Sequence, residues 1–162
     1  MNTFENTGLG KNILKAIASL GFEKPTPIQE STIPILMSSN KDVIATAQTG
    51  TGKTAAFGLP MLHLTDINDF TTQSLVLCPT RELCIQIALD LSNYGKYMDG
   101  INIVSVYGGA SIENQIKALR KGAHIVIGTP GRTKDLIKRR KLKINSVARV
   151  VLDEADEMLT MG

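Results

Sequence analysis

Five short apolar runs, each followed by a stretch with helical spacing, constrain this chain more than any other feature. Residues 43–46, 74–78, 102–107, 124–128 and 148–153 are each of strand length, too short for a buried helix. Between them lie helical patterns. Ile13, Leu14, Ile17 and Leu20 share one face of a helix over 11–20, stopped by Gly21. Leu83, Ile87, Leu91 and Tyr94 mark a second, and Ile112, Ile116 and Leu119 a third. A further helix starts at Thr26 as N-cap, with Pro27 in the first helical position and Gln29 at the capping-box position. Pro34 is expected to kink or shorten it. Strands that are apolar throughout need cover on both faces, and helical crossovers make them parallel. The expected fold is therefore α/β, a three-layer parallel sheet with helices on both faces.

Several function classes drop out. No apolar run approaches the roughly 20 residues that span a bilayer, and the polar N-terminus lacks a signal-peptide core. Cys78 and Cys84 do not form a Cys-x-x-Cys pair, and one falls in a strand and the other in a helix, so both read as reduced core thiols. Two cysteines and the distant His63 and His124 do not make a zinc set. The expected compartment is the cytoplasm. A net charge of +3 points only weakly to an anionic partner. Lys138, Arg139, Arg140, Lys141 and Lys143 are a denser basic cluster. It reads either as a solvated helix end suited to the dipole or as a contact for nucleic acid.

The chemistry-bearing residues fall where strands end. Ala47-Gln48-Thr49-Gly50-Thr51-Gly52-Lys53-Thr54 follows the 43–46 run and opens a helix. That context and spacing describe a phosphate-binding loop, with Ala47 where the pattern usually has glycine. Gly50 and Gly52 let the backbone turn its N–H groups inward. Lys53 would reach the β- and γ-phosphates, and Thr54 would hold Mg²⁺. The same positioning recurs for Pro79-Thr80-Arg81-Glu82, Gly108-Gly109, Thr129-Pro130-Gly131-Arg132 and Asp153-Glu154-Ala155-Asp156. In a parallel sheet such points line the carboxyl edge, where open α/β folds bind ligands. Asp153 is the expected second holder of the Mg²⁺ shell, and Glu154 is placed to orient or deprotonate a water. A nucleoside triphosphatase is implied.

With these motifs in this order, the chain resembles the first RecA-like domain of a DEAD-box RNA helicase, over practically its whole length and loosely closer to bacterial members. The resemblance extends to 21–29, which looks like the family's Q motif, with Phe4 as the isolated aromatic before it. It implies adenine recognition by Gln29, whose amide can both donate and accept, a nucleotide site that also takes in Phe4, Phe22 and Pro25, and hence ATP or ADP with Mg²⁺. It assigns Lys53, Asp153, Glu154 and Asp156 to catalysis. It gives RNA backbone contact, independent of sequence, to Pro79, Thr80, Arg81, Glu82, Gly108, Gly109, Thr129, Pro130, Gly131 and Arg132. Alternatively Arg81 and Arg132 make internal ion pairs with Glu82, Asp135 or Asp156.

Cys84 stands where the family often has alanine, and Thr133 where a larger apolar residue is common. The family's Ser-Ala-Thr triplet does not occur. The resemblance thus implies a Q-motif helical region over 1–40 and an incomplete RecA-like domain over 41–162, ending before its last strands, with the second RecA-like domain absent. A monomer that by itself binds nucleotide only, with little RNA affinity and negligible ATPase or unwinding, is expected. A non-hydrolysing nucleotide-binding module and a DNA-directed ATPase or helicase stay open as alternatives.

Overall fold

The computed structural model describes residues 3–160. They fall into two compact units, residues 3–64 with 90–99, and residues 65–89 with 100–160. The loop 47–54 falls in the same unit as the helices over 11–19 and 27–38.

The first unit holds a 3-10 helix, Phe4–Thr7, and three α-helices, α1 (Lys11–Ser19), α2 (Pro27–Ser38) and α3 (Lys53–His63). α1 buries Ile13, Ala16 and Ile17. It ends in a left-handed Gly21 (φ 82°). There the N–H groups of Gly21 and Phe22 donate to the carbonyls of Ala18 and Ile17, both at 3.0 Å, which satisfies the last turn. α2 continues four residues past Pro34 to Ser38, so the proline neither stops nor shortens it. α3 packs closely on the 90–99 segment: a Cβ at Gly58 would overlap Leu91.

The expected strand at 43–46 is not formed. Residues 39–48 have no regular secondary structure, and Ile44 is 97% exposed. A strand is held by a neighbour's ladder, and apolar composition cannot replace one.

The second unit is a four-stranded parallel sheet of β1 (Ser74–Leu77), β2 (Ile103–Val106), β3 (Ile125–Gly128) and β4 (Arg149–Leu152), in the order β2-β3-β1-β4. α4 (Arg81–Tyr94, of which residues 90–94 belong to the first unit), α5 (Ile112–Arg120) and α6 (Pro130–Lys138) connect them, and α7 (Ala155–Thr160) follows β4. From β1 the chain crosses two places one way, then returns, so right-handed crossovers put α4 on one face and α5 with α6 on the other. The core agrees: Leu75, Val104, Val106 and Val126 pack with Leu136 and, on α5, Ile112 and Ile116. Val76, Ile125 and Ile127 alternate to the opposite face and are wholly buried, as are Cys84 and Ile87 of α4. β4 departs from the pattern of double cover, since Val150 is 60% and Leu152 56% exposed. Among the described residues no helix is long and apolar enough to cross a membrane.

Two polar core residues show what the sheet demands locally. His124 is wholly buried. Its Nδ1 accepts from the Asn102 N–H at 3.0 Å, and Nε2 lies 3.2 Å from the Ile67 carbonyl. These partners require the proton on Nε2, so the ring is a structural clamp. Thr133 on α6 is 3% exposed, and its hydroxyl has no hydrogen-bond partner. An unpaired buried hydroxyl is costly, whereas an isosteric methyl is not. Thr133→Val is therefore expected to raise unfolding stability by about 1 kcal/mol, read as an increased urea midpoint at constant slope.

Candidate functional site

In the first unit the loop 47–54 turns on two left-handed glycines, Gly50 (φ 81°) and Gly52 (φ 89°). Gly52 is the N-cap of α3, and the Ala56 N–H donates to its carbonyl at 3.0 Å. The N–H groups of Lys53, Thr54 and Ala55 precede that first helical bond and so have no partner within the helix. Such a helix start, with a Lys and a Thr at its first two positions, favours an anion. Lys53 and Thr54 are half-buried. The Thr51 hydroxyl donates to the Gln48 carbonyl at 2.6 Å and tightens the loop.

Thr26 and Gln29 hold this loop through its backbone carbonyls. Gln29 is 2% exposed. Its Oε1 accepts from the Thr26 N–H at 3.0 Å, and its Nε2 donates to the Gly52 carbonyl at 3.1 Å. The amide's orientation is forced, since an N–H only donates and a carbonyl only accepts. One lone pair and one N–H remain on the amide for a ligand. Thr26, which composition marks only as a helix cap, donates its hydroxyl to the Thr51 carbonyl at 2.9 Å. Phe4 is 5% exposed and lies against Phe22 at 6.1 Å between centroids. Phe22, half-buried, meets the edge of Tyr94 at 5.8 Å. Pro25 is buried. Phe4 thus lies behind Phe22, the more exposed of the two rings.

In the second unit the parallel register brings four motif segments to one edge. Leu77 pairs with Gly128 and with Leu152, and Val106 with Gly128. Residues 79–82, 108–109, 129–132 and 153–156 therefore leave the sheet side by side. Thr80 caps α4: its hydroxyl accepts from the Leu83 N–H at 3.2 Å. Thr129 is the N-cap of α6, with Pro130 next. Arg81 lies over the Tyr107 ring, 5.1 Å from its centroid, a cation–π contact. Arg132 donates from Nη1 and Nη2 to the Ala110 carbonyl, both at 3.2 Å, and from Nη1 to Gln115 Oε1 at 2.9 Å. Gln115 in turn donates to the Tyr107 carbonyl at 3.1 Å. The internal ion pairs considered for the two arginines are not formed. Asp135 pairs with Arg139 at 2.8 Å instead, one helical turn away and easier to reach. Tyr107 and Gln115, which shape the Gly108-Gly109 turn, have no sequence signal beyond Gln115 falling among the apolar positions of α5.

At the end of β4 the backbone turns sharply. Glu154 has φ 52°, and its N–H donates to Asp153 Oδ1 at 3.1 Å. Asp153 remains in register through its N–H to the Leu77 carbonyl at 2.9 Å. Ala155 and Asp156 open α7. Cys78 is buried and unbridged. Its hydrogen bond with Cys84, its burial and the nearby negative charge of Asp153 and Glu154 all push its thiol up, so it stays protonated. Both cysteines are core thiols, as composition indicates.

Comparison with known proteins accords with this arrangement. The family model for DEAD/DEAH box helicases matches residues 26–162. The chain is 54% identical over 159 residues to the DEAD-box ATP-dependent RNA helicase CshA of Streptococcus pneumoniae, covering 98% of this chain and 30% of that relative. It is 50% identical to CshA of Geobacillus kaustophilus, covering all of this chain and 34% of the relative. The chain thus spans about a third of the length of these curated relatives. Among solved structures, a DEAD box protein from Methanococcus jannaschii superposes with a TM-score of 0.94 at 45% identity, covering 100% of this chain and 44% of that one. Dbp5 of Saccharomyces cerevisiae, bound to RNA and ADP BeF3, superposes with a TM-score of 0.89 at 35% identity, covering 98% and 40%. The chain belongs to the DEAD/DEAH box helicase family.

Proposed function

We propose that this chain is the ATP-binding domain of an ATP-dependent RNA helicase that, as a whole protein, couples ATP binding and hydrolysis to local unwinding of RNA duplexes. The observation that carries the reading is the bond from Gln29 to the Gly52 carbonyl, which ties the residue suited to reading adenine to the loop suited to holding phosphates. Lys53 and the N-terminal N–H groups of α3 would take the phosphates. Thr54 and Asp153 have the oxygen chemistry that Mg²⁺ prefers, partly through water. That ion would neutralise charge on the transferring phosphate. Glu154 would orient or deprotonate the attacking water, with Asp156 in support. Phe22 would face the base. Residues 79–82, 108–109 and 129–132 would bind the RNA backbone, giving a sequence-independent and salt-sensitive interaction. A cytoplasmic monomer completes the reading.

Calorimetric titration with Mg·ATP, Mg·ADP and Mg·GTP tests it. ATP and ADP are expected to bind, and GTP at least about tenfold more weakly, because a bidentate amide contact discriminates bases by about 1–3 kcal/mol. Equal affinity for ATP and GTP would remove the role given to Gln29. No binding of any nucleotide would remove the proposal for these residues.

A further inference from the structure

The amino ends of the strands, the edge opposite the motif segments, carry an open cleft of about 900 Å³. Phe70, Arg120, Lys121, Arg140, Lys141 and Lys143 line it. They come from three segments far apart in sequence: the approach to β1, the end of α5 and the loop after α6. No carboxylate lines the cleft. Asp69, beside Phe70, is turned to the Thr71 N–H at 3.0 Å. The five cations are exposed, and among the described residues none is in an ion pair.

The cations do not serve merely to cap helices. After α6, Arg140 takes a left-handed conformation (φ 56°). Backbone N–H groups then satisfy the last carbonyls: Arg140 donates to Ile137 at 2.9 Å, and Lys141 and Leu142 donate to Leu136 at 2.9 and 3.1 Å. Leu142, 3% exposed, anchors this loop in the core. Lys141 and Lys143, its flanking neighbours, stay exposed. After α5 the Lys121 and Gly122 N–H groups close the helix on Ala118 and Leu119. Gly122 (φ 87°) also admits Phe70, since a Cβ there would come within 3.0 Å of the Phe70 carbonyl oxygen and Cβ. Phe70 rests on His124 at 5.7 Å between centroids, yet is 63% exposed. An aromatic ring resting on His124 is thus presented to solvent beside five cations that form no ion pair among the described residues.

We propose that this cleft is a second binding surface, for single-stranded RNA, taking a flanking strand at the edge away from the motif segments. Positive charge follows a phosphate backbone, and an exposed ring stacks a base of any identity. An acidic protein segment would use the charges and leave Phe70 without a role. The inference rests on the reading of RNA as this protein's ligand.

The test is fluorescence anisotropy of the chain with labelled oligouridine, across a salt series, with heparin and polyglutamate as competing polyanions. Lys141→Glu/Lys143→Glu is expected to weaken RNA binding at least about tenfold and to flatten the salt slope by about 1.4, two phosphate contacts at roughly 0.7 each. Phe70→Ala is expected to weaken RNA about tenfold and to leave heparin binding unchanged. Mg·ATP affinity and the circular-dichroism melt should match wild type in both, which excludes misfolding. RNA affinity unaltered in both variants overturns the cleft. So does an unchanged affinity in Phe70→Ala alone, or polyglutamate binding tighter than RNA, which would mark a protein-docking face. Arg81→Ala separates the two edges. RNA binding lost in that variant but intact in the cleft variants rejects the cleft and keeps the proposed function. Absence of RNA binding in wild type rejects both.

Discussion

Gly52→Ala is expected to abolish nucleotide binding and to lower stability by roughly 3 kcal/mol. Two effects add at this position. The backbone is left-handed (φ 89°), a conformation that disfavours a Cβ by about 1–2 kcal/mol. The new methyl would also overlap Gln29 Nε2 and lie 3.2 Å from the Thr26 hydroxyl. A long side chain ordinarily swings aside, but Gln29 is buried and bonded at both ends of its amide. Displacing it leaves buried groups unpaired, at about 1–3 kcal/mol. Gly50→Ala is the matched control. Its φ is 81°, with nothing within 4 Å of an added Cβ, so only the backbone cost of about 1–2 kcal/mol remains. Urea unfolding and Mg·ATP titration of the pair check the difference. If Gly50→Ala and Gly52→Ala lose equal stability, the Gln29 tether contributes nothing.

Gly128→Ala should cost about 3 kcal/mol or more by forcing α6 away from the sheet. Here φ is unexceptional and the obstacle is packing. An added Cβ would overlap Thr133 Oγ1 and come 2.9 Å from Val106 Cγ2. Both neighbours are buried, and Thr133 is fixed on α6. The bare glycine at the end of β3 therefore sets how closely the start of α6, with Thr129 to Arg132, approaches the sheet. Adding Thr133→Ala removes the nearer obstacle, since the Thr133 Cβ lies at 3.4 Å, and should recover more than half of the loss in equilibrium unfolding. A double variant no more stable than Gly128→Ala would place the strain elsewhere.

The sheet was legible because each strand is a run of apolar residues of strand length between helical patterns. All four observed strands lie within one residue of their expected bounds. The rim was legible for the same reason: parallel strands put the residues that follow them on one edge. The run 43–46 shows the limit. Its composition equals that of the others, but a strand exists only where another backbone accepts its hydrogen bonds, and composition does not reveal that partner. Arg132 shows a second limit. Its charge and place in the motif were readable, whereas its attachment to Ala110 and Gln115 depends on two loops meeting.

Periodicity and motif spacing by themselves determined the α/β class, the parallel sheet, the residues along its carboxyl edge and the glycine turn at 50–52, because each follows from local backbone geometry. Tertiary structure alone decided that Gln29 grips Gly52, that Arg81 lies on Tyr107, and that basic residues from the end of α5 and the loop after α6 share one cleft with Phe70. Those are meetings of segments distant in the chain, set by tertiary packing within each unit, and no local pattern encodes them.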